Sequence, residues 1–196
     1  MKDETIETVS ETKLLGTIIT DDLKWDKNTE YLVKKANKRL RMLHIASKYT
    51  SKFSDLKIIY KLFIRSILEQ SAVVWHSSLI QRNSDDIERV QKSAVKIMMG
   101  QKYDEYDEAL KYLNLEKLSE RRQKLCLSFA KKCIKHEKAK QLFPLNNHIK
   151  HLRNNERFKV NFASSERYKK SSIPYMQNLL NQDESKKNEL KRSIGL

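Results

Sequence analysis

Adjacent carboxylates at Asp21 and Asp22 are the first residues of this chain whose types suit metal chemistry. Phosphoryl-transfer centres hold two Mg2+ ions about 3.5–4 Å apart between such groups. The surroundings of this pair argue otherwise. Leu23-Lys24-Trp25 leads straight into a helical pattern rather than a second apolar strand. The only candidates for a third acid on an earlier strand lie in a polar leader. Asp21-Asp22 therefore reads as a turn. His148-x-x-His151 with Cys126 and Cys133 supplies zinc-ligand types in sufficient number, but without the closely spaced cysteine pairs of a structural site. Cys133 and His136 stand three apart on a helix, which reads as packing. A chain with 3 glycines has no phosphate-cradling loop, and no serine sits between nucleophile-elbow glycines. These features assign no catalytic residue, no metal site and no cofactor.

The cationic residues are the stronger signal. The 196 residues hold 40 Lys and Arg against 25 Asp and Glu, a formal charge of +15. Residues 31–82 contain 11 basic and 2 acidic groups, and residues 138–196 contain 13 and 5. Residues 1–30 are acidic, with 4 and 8. Such blocks fit a polyanionic partner. Helical spacing places Lys34, Lys38 and Arg41 on one face, Lys57, Lys61 and Arg65 on a second, and Arg89, Lys92 and Lys96 on a third. Rows of this kind neutralise phosphates without reading bases; each is equally the solvated side of an amphipathic helix. Phe158 between Arg157 and Lys159, and Tyr168 beside Lys169 and Lys170, are candidates for stacking on unpaired bases.

These rows need helices to carry them. Gly 3 and Pro 2 are too few for an all-β fold, and the mean hydropathy is -0.72. Residues 1–12 read as a disordered leader, and 13–27 as a short strand and turn with Gly16 at a bulge or a close backbone approach. A helix over 29–47, capped by Asn28 or Thr29, turns Leu32, Ala36, Leu40 and Leu43 inward. A helix over 54–70 is apolar nearly all round and reads as the buried centre. A third helix over 85–99 follows a polar break at Gln81–Ser84 and stops at Gly100. Shorter helices are expected near 104–113 and over 117–136, the latter turning Leu118, Leu125, Cys126, Phe129 and Cys133 inward. The fold class is thus mainly α: a bundle of about four to five helices over 28–137 behind a strand or hairpin. Residues 138–196, broken by Pro144 and Pro174, are expected to form an irregular, extended basic tail. No apolar run nears the roughly 20 residues of a membrane span. The polar start is no signal peptide, and two free cysteines suit a reducing, intracellular setting, nuclear or cytoplasmic.

Several pieces in order carry a family likeness. Leu14-Leu15-Gly16 leads through Asp21 and Leu23 to Trp25; Lys35-Ala36-Asn37-Lys38-Arg39-Leu40 follows. Next come Tyr60, Ile64, Ile67, Leu68 and Glu69 up to Val74-Trp75, then the run from Ile87 to Ala94. Leu113-x-Leu115-x-x-Leu118 before Arg121-Arg122, and Arg167 to Pro174 before Leu180-Asn181, complete the series. Residues 13–181 resemble the region after the catalytic palm in reverse transcriptases of non-LTR (LINE-like) retrotransposons. Asn28-Thr29 stands where that family has a His-Ile pair. The resemblance implies a thumb and connection that grip a template–primer duplex or hybrid, RNA or DNA, without sequence preference. It makes the nine basic residues above backbone contacts. It places the palm aspartates and their Mg2+ in a separate or upstream palm-and-fingers segment, so the chain alone is expected not to polymerise. The alternative expectation is a helical protein-interaction module, or an inert remnant of a decayed element.

Overall fold

A computed structural model describes residues 8–146, 157–160 and 164–194. The protein is mainly α-helical behind an N-terminal hairpin, with more helical segments than the four or five expected. Strands β1 (Glu11–Leu14) and β2 (Thr17–Thr20) pair antiparallel, with Leu14 opposite Thr17 and Glu11 opposite Thr20. Glu11 and Thr12 thus belong to a strand, not to a disordered leader. Gly16 makes a tight turn rather than a bulge: Leu15 and Gly16 have φ of 48° and 81°, the two positive values of a type I′ hairpin.

Helix α1 (Asp26–Tyr49) starts three residues earlier than its pattern suggested. Asn28 and Thr29 are buried in its first turn and do not cap it. The Asn28 Oδ1 instead accepts the Ile18 N–H at 3.1 Å, fastening β2 to α1. Leu32, Ala36 and Leu43 are buried as expected, and Leu40 is half-buried.

The second helical stretch comprises α2 (Phe53–Tyr60), a π-helical turn (Lys61–Arg65) and α3 (Ser66–Leu68). It is not uniformly buried. Leu56, Tyr60, Ile64 and Leu68 face the core, whereas Ile58, Leu62 and Phe63 face solvent. A short helix α4 (Ala72–Trp75) follows. Helix α5 (Gln81–Met99) absorbs the polar residues read as a break, because the buried Asn83 donates to Asp26 Oδ1 at 2.8 Å. Gly100, with φ 54°, ends it. Helices α6 (Tyr106–Leu113) and α7 (Leu118–Lys135) come next, then α8 (Glu166–Lys169) and α9 (Ser172–Ile194).

Two compact units share these elements: residues 1–71 with 79–120, and residues 72–78 with 121–196. In the first, α1 packs chiefly on α5. Gln91 is its polar centre. The Gln91 side chain accepts the Tyr60 hydroxyl and donates to Tyr106 Oη at 2.8 Å and to the Glu116 carbonyl at 2.9 Å. Glu88 accepts the Leu118 N–H at 3.0 Å, satisfying one of the free donors at the start of α7.

The second unit corrects the expected irregular tail. Met176, Leu179 and Leu180 of α9 close a core over Cys126, Ala130 and Cys133 of α7, with Phe143 and Phe158. Pro174 lies in the first turn of α9, where a missing N–H costs nothing. The second unit thus takes in residues 72–78 and 121–137 as well as the expected tail. Phe129 is exposed rather than inward, and both cysteines are buried and unbonded.

Candidate nucleic-acid interface

The three basic rows fare differently. On α1, Lys34, Lys38 and Arg41 are exposed and, with Asn37, line one shallow depression. Lys34 pairs with Glu30 at 2.6 Å. Toward the start of α1, Lys34 shares a second depression with Asp26, Glu30, Arg82 and Asp86, where acids offset the cations. Lys38 and Arg41 lie beyond these acids. Among the described residues neither has a carboxylate within ion-pair distance.

On α5, Arg89, Lys92 and Lys96 are exposed. Arg89 pairs with Asp86 at 2.7 Å. The Lys92 ammonium lies 5.8 Å from the Tyr106 ring centre, and that of Lys96 lies 5.3 Å from Tyr103. A ring face holds an ammonium loosely and leaves its charge uncancelled. Arg89, Lys92, Lys117 and Tyr106 border one depression with Asp85 and Glu88.

The row over α2 and the π-helical turn is not fully outward. Lys57, Lys61 and Arg65 are half-buried. Lys57 donates to the Leu113 carbonyl at 3.1 Å, near the negative end of α6. Arg65 lies 3.8 Å from Glu69, both side chains more than four-fifths covered. Lys57 and Arg65 are thus engaged within the first unit, which leaves them poorly placed as the backbone contacts expected of this row.

One cationic surface was missed. In the second unit Lys124, Lys131, Lys132 and Lys135 line a face of α7 with Leu127 and Ser128. Lys131 and Lys187 flank Asp183, each at 2.8 Å, and hold its carboxyl below the usual range. The signal was present as Lys124, Lys131 and Lys135 at intervals of seven and four. Arg122 by contrast is fully buried, its guanidinium 5.8 Å from the Trp75 ring centre, and donates to His76 Nδ1 at 3.3 Å. Phe158 is core and cannot stack on a base, while Tyr168 is exposed.

Asp21 and Asp22 sit in the turn after β2. Asp22 Oδ1 accepts the Thr20 hydroxyl at 2.7 Å and the Lys24 N–H at 3.0 Å. Those hydrogen bonds, with the Lys24 ammonium, hold the carboxyl well below the usual range. Oxygens so engaged do not present an open pair to Mg2+. No group of three or more potential metal ligands occurs among the described residues. His148 and His151 lie outside them. No described helix is long and apolar enough to cross a membrane.

Compared with family models, with curated proteins and with solved structures, the chain matches none.

Proposed function

We propose that this chain is a thumb-and-connection segment like that of a non-LTR retroelement reverse transcriptase, which grips the phosphate backbone of an RNA or DNA duplex or hybrid. The observation that supports this most is the open cationic row of α1, where Lys38 and Arg41 project beyond the acids that offset Lys34. From Lys34 to Arg41 the helix rises about 10 Å. At about 3.4 Å per phosphate along one strand, that spans about three phosphates. Lys92 and Lys96 of α5 extend the grip. Contacts of this kind carry no sequence information, so two unrelated hybrids of equal length bind with equal affinity. A preference of more than about tenfold between them contradicts backbone recognition.

The polymerase chemistry and its Mg2+ belong to a separate or upstream palm, and the protein acts inside the cell, in nucleus or cytoplasm. The purified chain, given primer–template, nucleotides and Mg2+, does not extend the primer. Extension that a chelator abolishes refutes this assignment. The second reading, a protein-interaction module, draws on the solvent-facing Ile58, Leu62 and Phe63 of the second helical stretch. Contiguous exposed apolar surface marks a contact site.

A further inference from the structure

The hairpin has an open edge, and its sequence is complementary to itself. With a two-residue turn, the pairs Leu14–Thr17 and Thr12–Ile19 exchange backbone hydrogen bonds. Asp21 N–H donating to the Ser10 carbonyl at 3.0 Å continues that alternation. On β2 the intervening Ile18 N–H is taken by Asn28. The backbone N–H and C=O groups of Glu11 and Lys13 on β1 therefore point away from β2, and the sheet among the described residues ends there. All four side chains of β1 are exposed, and the flanking Val9 and Leu15 are 53% and 87% exposed. An open edge of this kind is a template for another strand.

We propose that β1 pairs antiparallel with β1 of a second copy of this chain, about a two-fold axis through Thr12. That register follows from the sequence. It sets Glu11 against Lys13 of the second copy and Lys13 against its Glu11. Both are outward-pointing positions, so each pair exchanges two backbone hydrogen bonds. Opposite charges then meet across the strands, and Thr12 faces Thr12 of the second copy, two favourable cross-strand pairings. Val9 comes opposite Leu15 of the second copy, giving both exposed apolar side chains a neighbour. The Glu11 side chain, bonded to Lys27 at 2.6 Å, is 51% exposed and within reach of a second cation. The product is a four-stranded sheet ordered β2-β1-β1-β2, a more stable arrangement than two strands alone. This interface does not depend on nucleic-acid binding.

Sedimentation of the full chain, freed of nucleic acid, at concentrations up to about 1 mM tests it. The wild type shows a monomer–dimer equilibrium. Thr12→Lys and Thr12→Glu each place like charges on the two-fold axis and weaken the dimer about tenfold or more. Thr12 is exposed and makes no side-chain hydrogen bond among the described residues, so circular dichroism stays unchanged. Mixing the two variants restores association as a mixed dimer. A wild type that stays monomeric throughout overturns the proposal. So does a dimer indifferent to either Thr12 variant, or a mixture that associates no better than its components.

Discussion

Replacing Gln91 by Leu isolates the polar centre of the first unit. The two side chains have similar volume, so the change removes hydrogen bonds rather than packing. Gln91 is 1% exposed. In the variant, the Tyr60 hydroxyl and the Glu116 carbonyl each lose the bond that Gln91 provides. A buried group deprived of its partner costs about 1–3 kcal/mol. The Tyr106 hydroxyl keeps its bond to Glu88. Glu116 is exposed, so its carbonyl can turn to water, and the expected loss is about 2 kcal/mol, chiefly from the bond to the buried Tyr60 hydroxyl. With a urea dependence of about 2 kcal/mol per molar, the midpoint falls by about 1 M. Urea titration followed by circular dichroism measures it. Tyr60→Phe supplies the control. Alone it costs about 1–2 kcal/mol, because Gln91 Oε1 loses its donor. In the Gln91→Leu background it costs less, because the bond between the two side chains is already gone. Equal cost of Tyr60→Phe in both backgrounds refutes the reasoning.

Three further outcomes follow from particular contacts. Burial first, and then the Arg122 charge, push His76 down to about 4 from 6.5. The unfolded chain therefore takes up a proton at His76 as pH falls below about 6.5 while the folded one does not. Stability present above 6.5 declines between 6.5 and about 4 and is flat below; His76→Asn removes that part of the pH dependence of the urea midpoint. Gly16→Ala forces a side chain into left-handed backbone and into the Gln70 amide, which donates to the Leu15 carbonyl at 3.1 Å. It lowers stability by about 1–2 kcal/mol in the same titration. Lys57→Met keeps the stem but removes the donor to Leu113; it destabilises by about 1 kcal/mol and leaves hybrid affinity unchanged.

What could be read in the sequence was what repeats locally. The inward face of α1, the stop at Gly100 and the buried cysteines each follow from spacing or residue type. The errors arose where a distant group chose the outcome. The second helical stretch offers apolar residues on almost every side, so periodicity could not select its inner face. Lys57 reaches inward to the Leu113 carbonyl, 56 residues away, while Leu62 and Phe63 are exposed. Asn28 looked like a cap but was claimed by the β2 backbone. Nothing in the local spacing marks Arg122 as buried; Trp75 and His76, from the other part of the second unit, cover it. Pro174 was read as a breaker, yet in the first turn of α9 it breaks nothing. For the candidate interface, the same local spacing found all three rows. It could not tell the open row on α1 from the half-buried one over α2 and the π-helical turn, where Lys57 and Arg65 are engaged by the first unit.

The salt dependence of hybrid binding tests the central claim most directly. Lys38, Arg41, Lys92 and Lys96 alone give about four released counterions, so log K falls against log salt with a slope of about -3 or steeper. Lys38→Ala with Arg41→Ala makes the slope shallower by about 1.5–2 and leaves the urea midpoint in place, because both side chains are exposed. A flat dependence, or a slope that the double variant does not change, contradicts a grip built on the open face of α1.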